Sequence, residues 1–155
     1  MTTPLNALKD AISTLWAATT PPDRPEVSYA RITGRTPRDG GHADRCFWFE
    51  PSRRLKVDSQ AVGPTGPMVS YVRWEFRPVL RLSARGRGID DLEEAIANEA
   101  NLLVNRIAAQ GDAWRPTGVL DVMTDGEMAV EIDTDSGDAL VEMQMSALCA
   151  ETDGS

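Results

Sequence analysis

The sequence predicts an α+β fold: a mostly antiparallel sheet with two main helices packed on one of its faces. Three observations predict it. Residues 4–18 and 86–111 repeat apolar side chains at helical spacing. Several other runs are β-favouring, some alternating apolar with polar residues. The two kinds of segment are segregated along the chain, in the order helix, two or three strands, helix, three antiparallel strands.

The first helix rests on Leu5, Leu8, Ile12, Leu15 and Trp16, with Thr3 as N-cap and Pro4 at the first helical position. Prolines in "TTPPDRP" end it. "EVSYARI" reads as a strand and "TGRTPRDGGHAD" as a loop. "RCFWFEP" reads as a strand buried on both faces or at an interface. A second Gly/Pro-rich connection follows it, so flexible loops are expected near 33–44 and 58–68. "YVRWEFRPVLRLSAR", residues 71–85, alternates apolar and polar positions over a span of about 46 Å at ~3.3 Å per residue. Pro78 interrupts its hydrogen-bonding ladder, which predicts a bend, an edge position or a projecting strand.

The second helix buries Ile89, Leu92, Ile96, Ala100, Leu103 and Ile107, with Asp90 as cap and Glu93 closing a capping box. Asp90, Asp91, Glu93 and Glu94 lie at the positive end of its dipole and Arg106 at the negative end. "TGVLDVMTDGEMAVEIDT" predicts a hairpin turning at Asp125-Gly126, with Met128, Val130 and Ile132 facing inward. "DSGD" makes the next turn. The last strand, "ALVEMQMSALC", points Val141, Met143, Met145 and Ala147 inward, and the tail at 150–155 is expected to fray.

The 155 residues suit one domain spanning 1–155. No apolar run approaches the roughly 20 residues of a membrane span, and "MTTPLNALKDAISTLW" lacks the basic start of a signal peptide. A chain made in the cytoplasm, without membrane contact, is the expectation. Cys46 and Cys149 read as reduced packing residues.

The net charge of −8 is unevenly spread. Residues 1–88 hold 14 of the 16 Lys and Arg and 8 of the 24 acids, a balance of +6; residues 89–155 hold 2 and 16, a balance of −14. Such a subunit, if dipolar in space as in sequence, can dock head to tail on copies of itself. Within the basic half, Arg73, Arg77, Arg81 and Arg85 recur every fourth residue and so form one row on one face of a strand. The row has three readings: an exposed face kept from aggregating by charge, a contact with acids of a neighbouring subunit, or a track for a phosphate backbone. The acids named for the subunit contact are Glu127, Glu131 and Asp133. Trp74 and Phe76 fall on the face opposite the row, and a pI near 4.6 opposes free DNA binding.

Enzyme signatures are thin. His42 is the lone histidine and lies in a glycine-rich stretch, and no nucleophile elbow, zinc motif, P-loop or dinucleotide fingerprint is present. Asp133, Asp135 and Asp138 do not match a twelve-residue calcium loop, and nothing marks Asp121 and Glu131 as a catalytic pair. No enzyme, no cofactor and no metal is the expectation.

The layout of an N-terminal helix, "RCFWFEP", "VRWEFRPVLRL", "IDDLEEAIANEANLLVNRI", "GDAWRPTGV" and a short antiparallel finish resembles the tail-terminator and tail-completion proteins of long-tailed bacteriophages and phage-like particles. The resemblance covers most of residues 4–149 and lies in size, element order and pattern. It implies a structural virion protein in a ring, typically of six copies, that caps the tail tube, meets a head–tail adaptor or stopper protein, and lets DNA pass through its channel. It implies no catalysis and brings no site residues with it.

Overall fold

The computed structural model describes residues 3–22, 24–33, 44–61, 68–83, 88–132 and 138–152. Among these run two α-helices and a mixed seven-stranded sheet, in the order α1 (Pro4–Ala17), β1 (Ala30–Arg31), β2 (Cys46–Ala61), β3 (Met68–Ser83), α2 (Ile89–Ala108), a 3-10 helix (Gly111–Thr117), β4 (Val119–Met123), β5 (Met128–Ile132), β6 (Asp138–Met143) and β7 (Met145–Thr152). The α+β class holds. β1 runs parallel to β2, and the other pairings are antiparallel.

Helix α1 starts as its sequence dictates. The Thr3 hydroxyl accepts from the Asn6 N–H at 3.2 Å, and Pro4 occupies a position whose missing N–H costs nothing. Leu5, Leu8, Ile12 and Trp16 are buried, each side chain contributing about 1.5–3 kcal/mol of hydrophobic stabilisation. The Trp16 Nε1–H donates to the Leu103 carbonyl at 3.2 Å and ties α1 to α2. The start of α2 differs from the expected capping box. Gly88 is the N-cap, with no side-chain cap, and Leu92 N–H bonds its carbonyl at 2.9 Å. Asp90 therefore sits inside the first turn, where it and Asp91 act on the helix dipole instead.

Strand β3 is central, so Pro78 marks neither an edge nor a free projection. β2 pairs along one side; β6 and β7 follow each other along the other in one register, with Val79 opposite Glu142 and Phe76 opposite Met145. The ladder breaks between them, where Pro78 has no N–H to give.

The hairpin expected at Asp125-Gly126 does not form. β4 pairs with β7 and β5 with β6, so the chain keeps its direction through 124–127 and bulges. Gly126 lies against the backbone carbonyl of Gln144, where any Cβ would collide, and the Gln144 N–H donates to the Glu127 carbonyl at 2.9 Å. The glycine serves a close backbone approach, not a reversal. β5 and β6 are antiparallel neighbours, with Ile132 opposite Ala139, and the segment joining them lies outside the described residues.

Other expectations shift in length. "EVSYARI" forms only the two-residue β1. β2 extends to Ala61 and β3 begins at Met68, which leaves 62–67 of the expected 58–68 loop, and 34–43 of the 33–44 loop, outside the described residues. The tail stays paired as far as Thr152, opposite Val69.

Alternation divides the strands. Phe76, Leu80 and Leu82 of β3 share one buried cluster with Val141, Met143, Met145 and Ala147 and with the apolar residues of both helices. Residues of the opposite parity, Cys46, Trp48 and Val79, form a second, smaller cluster with Ile32 and Leu140.

Candidate assembly surface

The arginine row leaves β3 on the side of this smaller cluster. Arg81 is 9 % exposed in its side chain and is paired with Asp138. Arg77, 47 % exposed, places Nη1 at 3.1 Å from Glu142 Oε1. Arg73 donates through Nη1 to Ser146 Oγ at 3.2 Å and reaches Met123 Sδ at 3.4 Å. Arg85 lies outside the described residues, as does Asp133. Glu127 is exposed just before β5, and Glu131 is exposed on β5 opposite Leu140.

Arg73 and Glu127 are brought together: both line an open groove of about 430 Å³, with Glu75, Asp125 and Gln144. Arg77 and Arg81 instead pair with Glu142 and Asp138 of β6. That strand lies directly beside β3, and these acids stand opposite Val79 and Ser83, each diagonal to its arginine. β5 is one strand further out. Asp121 and Glu131 do not face each other, because their strands do not pair.

The charge asymmetry of the chain is partly cancelled by folding. Arg45–Glu99, Arg54–Glu151, Arg77–Glu142 and Arg81–Asp138 each join the basic first half to the acidic second half.

The strongest of these pairs was not among the sequence candidates. Arg45 and Glu99 are 2 % and 3 % exposed, and the guanidinium grips the carboxylate with two hydrogen bonds, Nε to Oε2 at 2.8 Å and Nη2 to Oε1 at 3.0 Å. Arg45 Nη1 also reaches both oxygens of Asp44, at 2.8 and 2.9 Å, and Asp44 Oδ1 accepts from the Ser83 N–H at 2.8 Å. Arg45 holds φ 64, a left-handed conformation rare outside glycine. Burial works against its charge, but the hydrogen bonds it donates to Glu99 and Asp44, with their negative charges, outweigh it and raise its pKa. Burial first, and the Glu99 carboxylate second, push the neighbouring Tyr29 phenol well up. A signal was present: Glu99 falls at a stripe position of α2, between Ile96 and Leu103, where a carboxylate requires an internal cation.

Cys46 and Cys149 are buried and free. Burial raises both thiol pKa values, that of Cys149 to about 11 with Glu151 adding to the effect, while Arg81 opposes the rise at Cys46. Among the described residues no group of three His, Cys, Asp or Glu is disposed to hold a metal ion, and no helix is long and apolar enough to cross a membrane.

No protein-family model matches this chain. No curated protein matches it either.

Proposed function

We propose that this chain is the subunit of a closed ring of the tail-terminator type. The ring sits on the end of a phage or phage-like tail tube, meets a head–tail connector protein above it, and passes DNA through its channel. It is assembled in the host cytoplasm and resides in the virion neck. The role is structural and needs neither catalysis nor cofactor.

Element order supports the family reading: a capped helix, a long hairpin, an acid-headed helix and a second long antiparallel pair. We read both helices as packed on the even-numbered side of β3, since their apolar stripes share a cluster with Phe76, Leu80 and Leu82. The odd-numbered side then remains as a broad, charge-bearing wall.

The observation that carries the reading against its rival is the pairing of the arginine row within the chain. A nucleic-acid module using this face needs free guanidiniums to neutralise phosphates. Here Arg77 and Arg81 are neutralised by Glu142 and Asp138, and Arg73 is engaged by Ser146. A surface that DNA must slide past is served by such neutralisation and by net negative charge. Native mass spectrometry over a concentration series, with a short DNA duplex titrated at low salt, tests the choice. One closed stoichiometry, six copies by the resemblance, without duplex binding is expected. A persistent monomer that binds duplex and releases it steeply with salt would favour the nucleic-acid module.

A further inference from the structure

Among the described residues the sheet ends in two strand edges without an outer partner, at the same height. On one side β1 covers only Cys46 and Phe47; from Arg53 to Ala61, β2 pairs with β3 alone among the described residues. On the other side β4 pairs, among the described residues, with β7 alone. Two rows of residues cross the whole sheet between these edges. Arg53 stands opposite Glu75, Glu75 opposite Ser146, and Ser146 opposite Met123. Leu55, Arg73, Leu148 and Asp121 form another, two residues along the strands. The free part of β2 is therefore level with β4.

We propose that copies of this chain join through these edges, the outer half of β2 in one copy pairing antiparallel with β4 of the next. This seam rests on the ring reading above. Strand direction permits it. β2 is antiparallel to β3, β3 to β7 and β7 to β4, so β4 is antiparallel to β2. A second copy set beside the first in the same orientation brings its β2 antiparallel to β4, and the step repeats without reversal, as a heterologous ring requires. Charge agrees with direction: Arg53 is exposed on one edge, beside an Arg54 already bridged to Glu151, and Asp121, Asp125 and Glu127 are exposed at the other. Apolar surface agrees too. Met123, 39 % exposed, is the exposed large hydrophobic among the described residues, and it sits on β4. Closing a sheet demands a stagger between strands; a shift of about two residues from the level rows sets Met123 beside Leu55 and Asp125 beside Arg53. Pairing also removes an aggregation hazard that two bare edges would otherwise pose.

Disulfide trapping tests the seam. Within one copy Leu55 and Met123 lie on opposite edges, three strand spacings across and two residues along, or roughly 16 Å apart, beyond the roughly 7 Å Cα separation that a disulfide spans. The native cysteines are buried. Mixing the Leu55→Cys and Met123→Cys variants under mild oxidation is expected to give a mixed covalent dimer, and the double variant a ladder of linked copies. As a second measurement, Arg53→Glu is expected to raise the assembly midpoint about tenfold, with Asp125→Arg restoring it in the combined variant, as for a charge pair turned from attractive to repulsive. If native mass spectrometry finds rings but neither the mixed link nor the charge rescue, the seam lies elsewhere and the ring reading survives. Links only between like variants would mean a two-fold contact and overturn the head-to-tail seam. An absence of oligomers at every concentration and on tail tubes would overturn both.

Discussion

Arg45 and Arg77 carry the same group and each faces a glutamate, yet the fold gives them opposite weights. Arg45 and Glu99 are sealed under α2, bidentate, with Asp44 as a second acceptor. Arg77 and Glu142 meet at 3.1 Å on an open face, at 47 % and 30 % exposure. Removing half of a sealed pair leaves a charge without water or partner, whereas removing half of an open pair returns the other half to solvent. Internal ion pairs therefore hold the architecture, and surface pairs set the charge a partner meets.

The largest effect expected of a substitution is at Glu99. Glu99→Ala should destabilise the fold by about 3–5 kcal/mol, because it leaves Nε and Nη2 of a buried guanidinium without an acceptor while Asp44 holds only Nη1, and urea denaturation reads this directly. A sharper form replaces both partners, Arg45→Met with Glu99→Leu. Most of the loss should be recovered, since an apolar pair carries no desolvation cost. A double variant no better than Glu99→Ala would mean that Arg45 acts through its left-handed backbone and Asp44 rather than through the pair.

Cys149 extends the comparison to a buried acid without a counter-charge. Its folded pKa is raised to about 11, so the folded state must keep the thiol protonated. Unfolded thiol ionises from about pH 8.5–9. Stability contributed here is complete below that range and falls as pH rises towards 11, by about 2–3 kcal/mol in all. Denaturation midpoints measured from pH 7 to 11 should show the decline, and Cys149→Ala should lessen it, with Cys46 and Tyr29, whose pKa values are raised too, carrying the remainder.

Arg81 falls between the extremes, 9 % exposed and paired with Asp138. Arg81→Met should cost about 1–3 kcal/mol, because Asp138 loses a charge-assisted partner at a half-dry site. Arg77→Ala should be smallest, below about 1 kcal/mol and shrinking further in salt. An Arg77 effect as large as that of Arg81 would erase the distinction that burial draws.

Much of this architecture was legible in residue pattern. Thr3-Pro4 and the Leu5–Trp16 stripe define α1, and alternation along 138–149 assigns Val141, Met143, Met145 and Ala147 to the core side, where they are buried. What escaped depends on partners remote in sequence. Asp-Gly is a favoured reversal in isolation, but at 125–126 the glycine answers to Gln144, a residue whose closeness only the folded sheet creates. Glu99 looked like one more acid of an acidic helix because the cation it needs sits 54 positions away. The arginine row was visible as a row, but its partners on β6 followed from strand order, which periodicity does not encode.

The most direct test of the proposed ring is a cryo-EM map of this chain bound to tail tubes. A closed ring at the end of the tail tube is expected, in which β2 of each copy runs antiparallel beside β4 of its neighbour, with Arg53 near the acids at 121–127. A map showing copies that do not touch one another, or a ring whose β2 and β4 edges both face solvent, would contradict it.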